Sequence, residues 1–227
     1  MELYHVLNRG VDKRQIFMDD ADRLRFVLDL FEFNSEDSAD ATYYHFQSVL
    51  ADHDKFLDVG RPEIKRNRLV DIHTFAMMPN HYHLLISPVT ENGISLFMKK
   101  LGGGYAKYFN EKYERSGALF QGKYKSVHIN EDRHFLYIPY YIHFNPLDLH
   151  APEWRERSIS NKRSAIEFLE SYRWSSHLDY LGKKNFPSVT QRGFLLDYFG
   201  GTSGYTRAFT TELKNFSVET LGNTTLE

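Results

Sequence analysis

The fold is decided by the stretch VDIHTFAMM at residues 70–78, a Pro-Asn pair, and HYHLLIS at residues 81–87. Both segments are rich in β-branched and aromatic residues, and Pro-Asn is typical of a turn. The sequence therefore predicts two adjacent strands. Because side chains alternate between the faces of a strand, His81 and His83 share one face, about 6.6 Å apart along it.

Apolar periodicity predicts further elements on both sides of this hairpin. The predicted order is strand, helix, strand, strand, helix, strand, helix, at residues 3–9, 20–33, 70–78, 81–87, 94–114, 118–129 and 131–144. This order is typical of an α+β fold, a ferredoxin-like antiparallel sheet with helices on one face. We expect a domain at 1–149, with an insertion at 34–69, and a small helical C-terminal extension at 150–227.

The composition of the chain excludes cysteine-based chemistry and argues against a membrane or secreted protein. The chain has 227 residues and no cysteine, which excludes disulfides and thiolate chemistry and is compatible with a reducing cytoplasm. Its apolar runs are far shorter than the ~20 residues that span a bilayer. The N-terminus lacks the apolar core of a signal peptide. We expect a cytoplasmic protein without a membrane partner.

The net charge of −2 hides a basic stretch at residues 99–125, where seven basic and two acidic residues give a net charge of +5. Aromatic residues are interleaved there, and cations with aromatic faces suit single-stranded nucleic acid. The alternative is a solvated helix face. Glycines 102–104 weaken the predicted helix by roughly 1 kcal/mol each relative to alanine, so either the helix breaks there or something large packs closely against its backbone. The candidate DNA-binding residues are Arg9, Lys13, Arg14, Lys99, Lys100, Lys107, Arg115, Lys123 and Lys125.

Two imidazoles on one strand face can chelate a divalent cation and leave coordination positions open, as in a catalytic site. Alone, however, His81 and His83 could equally be unconnected histidines. Tyr141 and Asn145 share a helix face at i, i+4 spacing, so a phenol nucleophile and an amide oxygen ligand could both meet that metal. The alternative is that Tyr141 is a core aromatic residue. Pro139 could kink this helix and alter the aim of Tyr141.

The segment Met78–Ile86, MPNHYHLLI, resembles the His-hydrophobe-His motif of HUH nucleases. Four further stretches resemble the single-tyrosine HUH transposases, with the REP-associated tyrosine transposases as the most similar branch. They are YHVLNRG at 4–10 with Ile16-Phe17, the run from YAKYFN at 105–110 to GALFQGKYKS at 117–126, YYIHFNP at 140–146, and WSS at 174–176 with Tyr180.

This resemblance implies a ferredoxin-like core, a Mg²⁺ or Mn²⁺ ion, and cleavage of single-stranded DNA near a hairpin. It implies that His81, His83 and Asn145 bind the metal and that Tyr141 attacks the DNA. The expected product is a 5′-phosphotyrosine intermediate that allows strand transfer. Both a monomer and a homodimer are compatible with the sequence.

Three alternatives remain open from the sequence. A non-catalytic or domesticated single-strand nucleic-acid-binding protein would bind DNA without forming a covalent adduct. A replication initiator or relaxase would commonly have a third histidine ligand and paired tyrosines, but Tyr140 and Tyr141 point about 100° apart on a helix. A metal hydrolase that uses water would tolerate Tyr141→Phe.

Overall fold

The computed structural model describes residues 1–37 and 67–215. Its strands are β1 (Leu3–Arg9), β2 (Val70–Met78), β3 (His81–Pro88) and β4 (Lys125–Ile129). Its α-helices are α1 (Asp20–Glu32), α2 (Gly93–Lys112), α3 (Asp132–Phe144), α4 (Lys162–Ser171), α5 (His177–Tyr180), α6 (Gly193–Phe199) and α7 (Gly201–Lys214). Short 3₁₀ helices cover Val11–Lys13, Asn145–Leu149 and Pro152–Glu156.

The strands form one antiparallel sheet in the order β2-β3-β1-β4. This order and the predicted succession of elements confirm the α+β fold with a ferredoxin-like sheet. Asp19 caps α1 by accepting a 2.9 Å hydrogen bond from the Asp22 backbone N–H. Within the predicted stretch 118–129, only 125–129 forms a ladder strand, and Phe120 makes an isolated bridge to Gly10.

Helices cover both faces of the sheet, so the expectation of helices on one face holds only for α1 and α2. These two pack on the face that carries Tyr82 and Leu84, in a core with Phe97 and Leu101. On the other face, α3 packs against β2 and β3. The second face needs its own cover because it also carries apolar side chains, which are buried: Leu3, Ala76 and Leu85.

The predicted C-terminal extension completes this second core. Buried Trp154, Leu169, Tyr205 and Phe209 join Ile142 of α3 in one apolar cluster. The side of α3 that does not face the sheet is therefore covered by residues beyond 149. The division at 149 stays a prediction about domains, but burial of α3 depends on the chain that follows it.

A segment from the same region covers the outer edge of β2. The Met77 N–H donates to the Trp174 carbonyl at 2.9 Å, and the Ser176 N–H donates to the Phe75 carbonyl at 3.0 Å. Tyr180 donates its hydroxyl to the His73 carbonyl at 2.9 Å. The WSS segment and Tyr180 thus satisfy backbone groups that an edge strand leaves open.

Most of the predicted insertion, including the short helix expected near 43–50, lies outside the described residues. At its borders, Asn34 accepts hydrogen bonds from the backbone N–H groups of Leu69 and Val70 and donates to the Val70 carbonyl. The two ends of the insertion are therefore held together beside β2.

The glycine triplet does not break α2, which runs unbroken from Gly93 to Lys112. A Cβ at Gly104 would lie 2.3 Å from the Phe33 ring, so close packing explains this glycine. A Cβ at Gly102 or Gly103 would meet nothing within 4 Å. The structure gives no packing reason for those two glycines.

We expect Gly102→Ala and Gly103→Ala each to raise the free energy of unfolding by about 1 kcal/mol, because alanine is the better helix former. Gly104→Ala is the matched control and should lower it by about 1–3 kcal/mol, because the new methyl group displaces the Phe33 ring. Urea unfolding midpoints at constant m-value measure all three. Equal effects at the three positions would contradict this explanation.

Candidate active site

The two motif histidines lie on the sheet face that α3 covers. His81 and His83 are two residues apart on β3, and their ring centroids are 5.0 Å apart. His81 is 5% exposed and His83 is fully buried. The strand alternation read from the sequence therefore brings the two imidazoles together on one face, as predicted.

Hydrogen bonds at Nδ1 orient both imidazoles. His81 Nδ1 lies 2.6 Å from Asn80 Oδ1, and that oxygen can only accept, so the proton must be on Nδ1. His83 Nδ1 lies 2.8 Å from Nε2 of His5 on the neighbouring strand β1. Among the described residues, Nε2 of His81 and Nε2 of His83 are buried without a hydrogen-bond partner.

This pattern fits a metal ion, since metal-binding histidines hold their other ring nitrogen in a hydrogen bond. In His81 the assigned proton leaves Nε2 with a lone pair. In His83 the same holds when its Nδ1–H donates to His5. Unpartnered polar atoms in a buried site call for an explanation, and the two Nε2 atoms are the ones that would coordinate a cation.

Burial also keeps the imidazoles neutral. It lowers the pKa of His81 to about 4, with a smaller contribution in the same direction from the Arg9 charge. Burial lowers the pKa of His83 well below its usual value, and that of His5 to about 4. Neutral imidazole is the form that binds metals, so the site is ready for a cation at neutral pH.

Tyr141 lies against His83 and His5 within a single chain. Its ring centroid is 5.8 Å from those of His83 and His5, with the planes nearly perpendicular. The residue is 6% exposed. Helix α3 runs through Pro139 without interruption, so the proline does not turn Tyr141 away from the histidines.

Asn145 is fully buried beside Tyr141, but both ends of its amide are engaged. Its Nδ2 donates to the Tyr141 carbonyl at 2.7 Å, and its Oδ1 accepts from Arg155 at 2.9 Å. An amide oxygen has two lone pairs, so one can still face a metal. The role of Asn145 as a ligand stays a prediction.

Arg155 was not predicted, yet it contacts the centre of the site. Its Nη1 donates to the Tyr141 hydroxyl at 3.1 Å, and its Nε and Nη2 bind both carboxylate oxygens of Asp148. Burial acts to lower the pKa of Arg155, but the bonds to Asp148 and Tyr141 raise it further than burial lowers it. The guanidinium therefore keeps its charge.

The structure places the predicted DNA-binding residues in three locations. Arg9 pairs with His81 across the β1–β3 ladder, and Lys125 pairs with Leu7, which itself faces His83. Residues directly opposite one another in antiparallel strands share a face. Arg9 and Lys125 therefore lie on the histidine face, and Lys125 is exposed.

A second set lies on α2, on the other face of the sheet. Lys99 is exposed, Lys107 is 3.8 Å from Glu111, and Lys100 donates to the carbonyls of Ser35 and Asp37. The structure does not bring these lysines to the histidine site. Lys100 instead holds the chain that follows α1.

The third set borders the turn before β3. Arg14 and Arg115 line a surface groove of about 360 Å³ together with Phe109 and Tyr113. Lys13 and Lys123 are exposed in the two loops at this end of the sheet. Asn80 donates to the Lys13 carbonyl at 3.2 Å, so this first loop adjoins the residue that orients His81.

His143 lies outside the site. It lies 2.7 Å from the Tyr205 hydroxyl and 2.8 Å from the Ser176 hydroxyl, fully buried in the second core. The residues missed from the sequence are His5, Asp148 and Arg155. Of these three, only His5 could have been found from the sequence. It lies four residues before Arg9 in the predicted strand, so strand alternation places both side chains on the same face of β1.

No cluster of three or more His, Cys, Asp or Glu side chains suited to a metal occurs within residues 1–37 and 67–215. A cation at this site would thus combine two imidazoles with ligands of another type. In the same part of the chain, none of the helices has the length and apolarity needed to cross a bilayer.

Residues 43–145 match the family model for IS200-like transposases. No curated protein matches the chain. Among solved structures, the chain is similar to a REP-associated tyrosine transposase bound to a REP hairpin, with 13% identity, 82% coverage of both chains and a TM-score of 0.43. The matched residues include both motif histidines and Tyr141, whereas Arg155 lies beyond them.

Proposed function

We propose that this chain is a member of the IS200-like transposase family, whose model matches residues 43–145, and that it cuts and rejoins single-stranded DNA through Tyr141. His81 and His83 would hold a divalent metal, Mg²⁺ or Mn²⁺, with Asn145 as the proposed third ligand. The covalent intermediate would be a 5′-phosphotyrosine. We also propose that the chain belongs to the REP-associated branch of this family.

One observation carries the proposal. The Tyr141 ring lies edge-on to His83, and the neighbouring His81 and His83 are buried with Nε2 atoms that lack a hydrogen-bond partner among the described residues. Burial of a polar group without a partner is unfavourable, so two such nitrogens on adjacent imidazoles of one strand face favour a ligand that binds both. A nucleophile beside a pair of metal ligands suits phosphoryl transfer.

In the proposed reaction, the Tyr141 hydroxyl releases its proton to water and its oxygen attacks phosphorus. The P–O3′ bond breaks, and the 3′ oxygen leaves and takes up a proton from water. The bound metal would offset negative charge on the phosphate oxygens. The chain itself excludes water around Tyr141 and fixes its ring against His83. Since the phosphotyrosine bond retains the phosphodiester energy, a 3′-OH can reverse the attack and join strands.

The proposed substrate is single-stranded DNA next to a hairpin. Arg9 and Lys125 on the histidine face could contact the backbone at the cut, and the loop cations Lys13, Arg14 and Lys123 could contact flanking phosphates. Arg115 and the aromatic groove beside it could stack on an unpaired base. We do not assign this role to Lys99, Lys100 and Lys107 on the opposite face.

We propose that the active site forms in cis. Tyr141 lies beside His83 of the same chain, so a monomer contains both the nucleophile and the metal ligands. The covered edge of β2 removes one surface on which two sheets could pair. A homodimer would be compatible with this arrangement but is not required for chemistry.

A non-catalytic DNA-binding protein is the second candidate. It is favoured by the hydrogen bond from Arg155 to Tyr141 and by the low exposure of that tyrosine.

The relaxase alternative is weakened because the nearby third histidine, His5, binds Nδ1 of His83 rather than joining the two Nε2 atoms. Its position suits an orienting role.

The test uses a pool of hairpin-bearing single strands with randomised flanks, labelled at either end and incubated with the full chain and Mn²⁺. We expect an SDS-resistant adduct with the 3′-end label only, since a 5′-phosphotyrosine retains the DNA 3′ of the cut. EDTA should abolish it, and fully duplex DNA should give none. Chelator-resistant DNA binding without an adduct would support the second candidate instead.

A further inference from the structure

Arg155 makes a direct polar contact with the proposed nucleophile. It belongs to the 3₁₀ helix Pro152–Glu156, beyond the family match that ends at residue 145. Its Nη1 lies 3.1 Å from the Tyr141 oxygen, and its Nη2 lies 2.9 Å from Asn145 Oδ1. One guanidinium thus joins the proposed nucleophile in α3 to Asn145, the C-cap residue of that helix.

The guanidinium is fixed before any substrate binds. Asp148 accepts two hydrogen bonds from it, at 2.9 and 2.8 Å, in a bidentate pair. The same carboxylate accepts from Trp154 Nε1 at 2.6 Å, and the guanidinium lies 4.7 Å from the Trp154 ring centroid. A donor held in this way needs little reorganisation when charge develops next to it.

The direction of the hydrogen bond matters for the chemistry. Arginine can only donate, so the Tyr141 oxygen accepts the bond and a positive charge faces the reacting atom. The side chain of Arg155 also retains 30% exposure, so it borders the space that DNA would enter. A contact made only for stability would not need a charged donor aimed at this oxygen.

We propose that Arg155 is a further catalytic residue, which stabilises negative charge on the Tyr141 oxygen when the phosphotyrosine bond breaks. The inference rests on the proposed function. In rejoining, a DNA 3′-OH attacks phosphorus and a new P–O3′ bond forms. The P–O bond to Tyr141 breaks, its electron pair stays on the phenolate beside Arg155, and the 3′-OH proton goes to water.

This role makes both strand joining and cleavage sensitive to Arg155. The phenolate is the leaving group in joining, whereas in cleavage the 3′ oxygen leaves. By microscopic reversibility the same charge on the tyrosine oxygen is present in both directions, so cleavage should slow as well. Asn145, held by the same guanidinium, would stay aligned with Tyr141 throughout.

The test measures single-turnover rates of cleavage and of joining, the latter by adding a 3′-OH strand to the isolated adduct. We expect Arg155→Gln to slow joining by about 10²–10³-fold, the range for loss of one preorganised donor. Arg155→Lys should recover part of that loss, because it restores the charge without the fork. Arg157→Gln is the matched control, since Arg157 lies over the Tyr137 ring instead, and should leave both rates unchanged.

A second readout separates charge from packing. Difluorotyrosine at position 141 makes a better leaving group, so it should reduce the effect of Arg155→Gln on joining to less than about 10-fold. A merely structural role would leave that effect unchanged and would overturn the inference, as would joining by Arg155→Gln within about 3-fold of wild type. Absence of any wild-type adduct would instead overturn the proposed function itself.

Discussion

Replacing Tyr141 by phenylalanine is expected to abolish the covalent DNA adduct and to leave the protein folded. The change removes the attacking oxygen, so adduct formation should fall by on the order of 10³-fold or more. The ring still packs against His83 and Trp154. Stability should fall by only about 1 kcal/mol, since the lost hydrogen bond leaves Arg155 paired with Asp148 and Asn145.

Tyr140→Phe is the matched control for this experiment. Tyr140 is the adjacent tyrosine, but its ring lies in the second core, 6.3 Å from Phe144 and 5.5 Å from Phe199. The variant should form adduct at the wild-type rate. Adduct formation by Tyr141→Phe, or its loss in Tyr140→Phe alone, would move the nucleophile to another residue and refute the assignment. The gel assay with 3′-labelled hairpin strands measures both.

The second large effect is expected on metal affinity, when one of the motif histidines is replaced. We expect His83→Ala to lower the Mn²⁺ affinity of the DNA-free protein by more than 100-fold, since a site with two imidazoles loses one. His5→Ala should lower the affinity by about 10–100-fold, the range for residues that orient a metal ligand. The Nδ1 bond from His83 to His5 is the physical reason for this smaller effect.

Titration calorimetry or the Mn²⁺ signal in electron paramagnetic resonance measures these affinities without DNA. His128→Ala is the control, because His128 lies on β4 opposite Tyr4, on the other sheet face, and stacks on that ring at 4.9 Å. It should bind Mn²⁺ like the wild type. If His83→Ala retained wild-type affinity, the metal site would lie elsewhere, whatever the result of the adduct assay.

The sequence predicts what depends on local periodicity. Strand alternation places His81 and His83 on one face, and i, i+4 spacing places Asn145 one turn after Tyr141. Both patterns involve only residues close in sequence, and the structure places each pair side by side as the patterns predict. The sheet order follows from the ferredoxin-like layout that the predicted succession of elements favours.

The parts that could not be predicted depend on contacts between distant residues. His5 meets His83 only because β1 and β3 pair in one register, and sequence patterns do not give that register. Arg155 reaches Tyr141 from a short 3₁₀ helix without periodicity. Lys99 and Lys107 do not reach the histidine site, because the apolar side chains of α2 pack that helix on the other face of the sheet.

The covered edge of β2 has a consequence for how the chain is made. Synthesis proceeds from the N-terminus, so β2 is complete well before Trp174 and Ser176, which pair with its backbone. Until they emerge, β2 offers unpaired N–H and C=O groups on which another strand can assemble. The nascent chain is thus open to aggregation through β2 in this interval, and a segment synthesised about a hundred residues later removes that hazard.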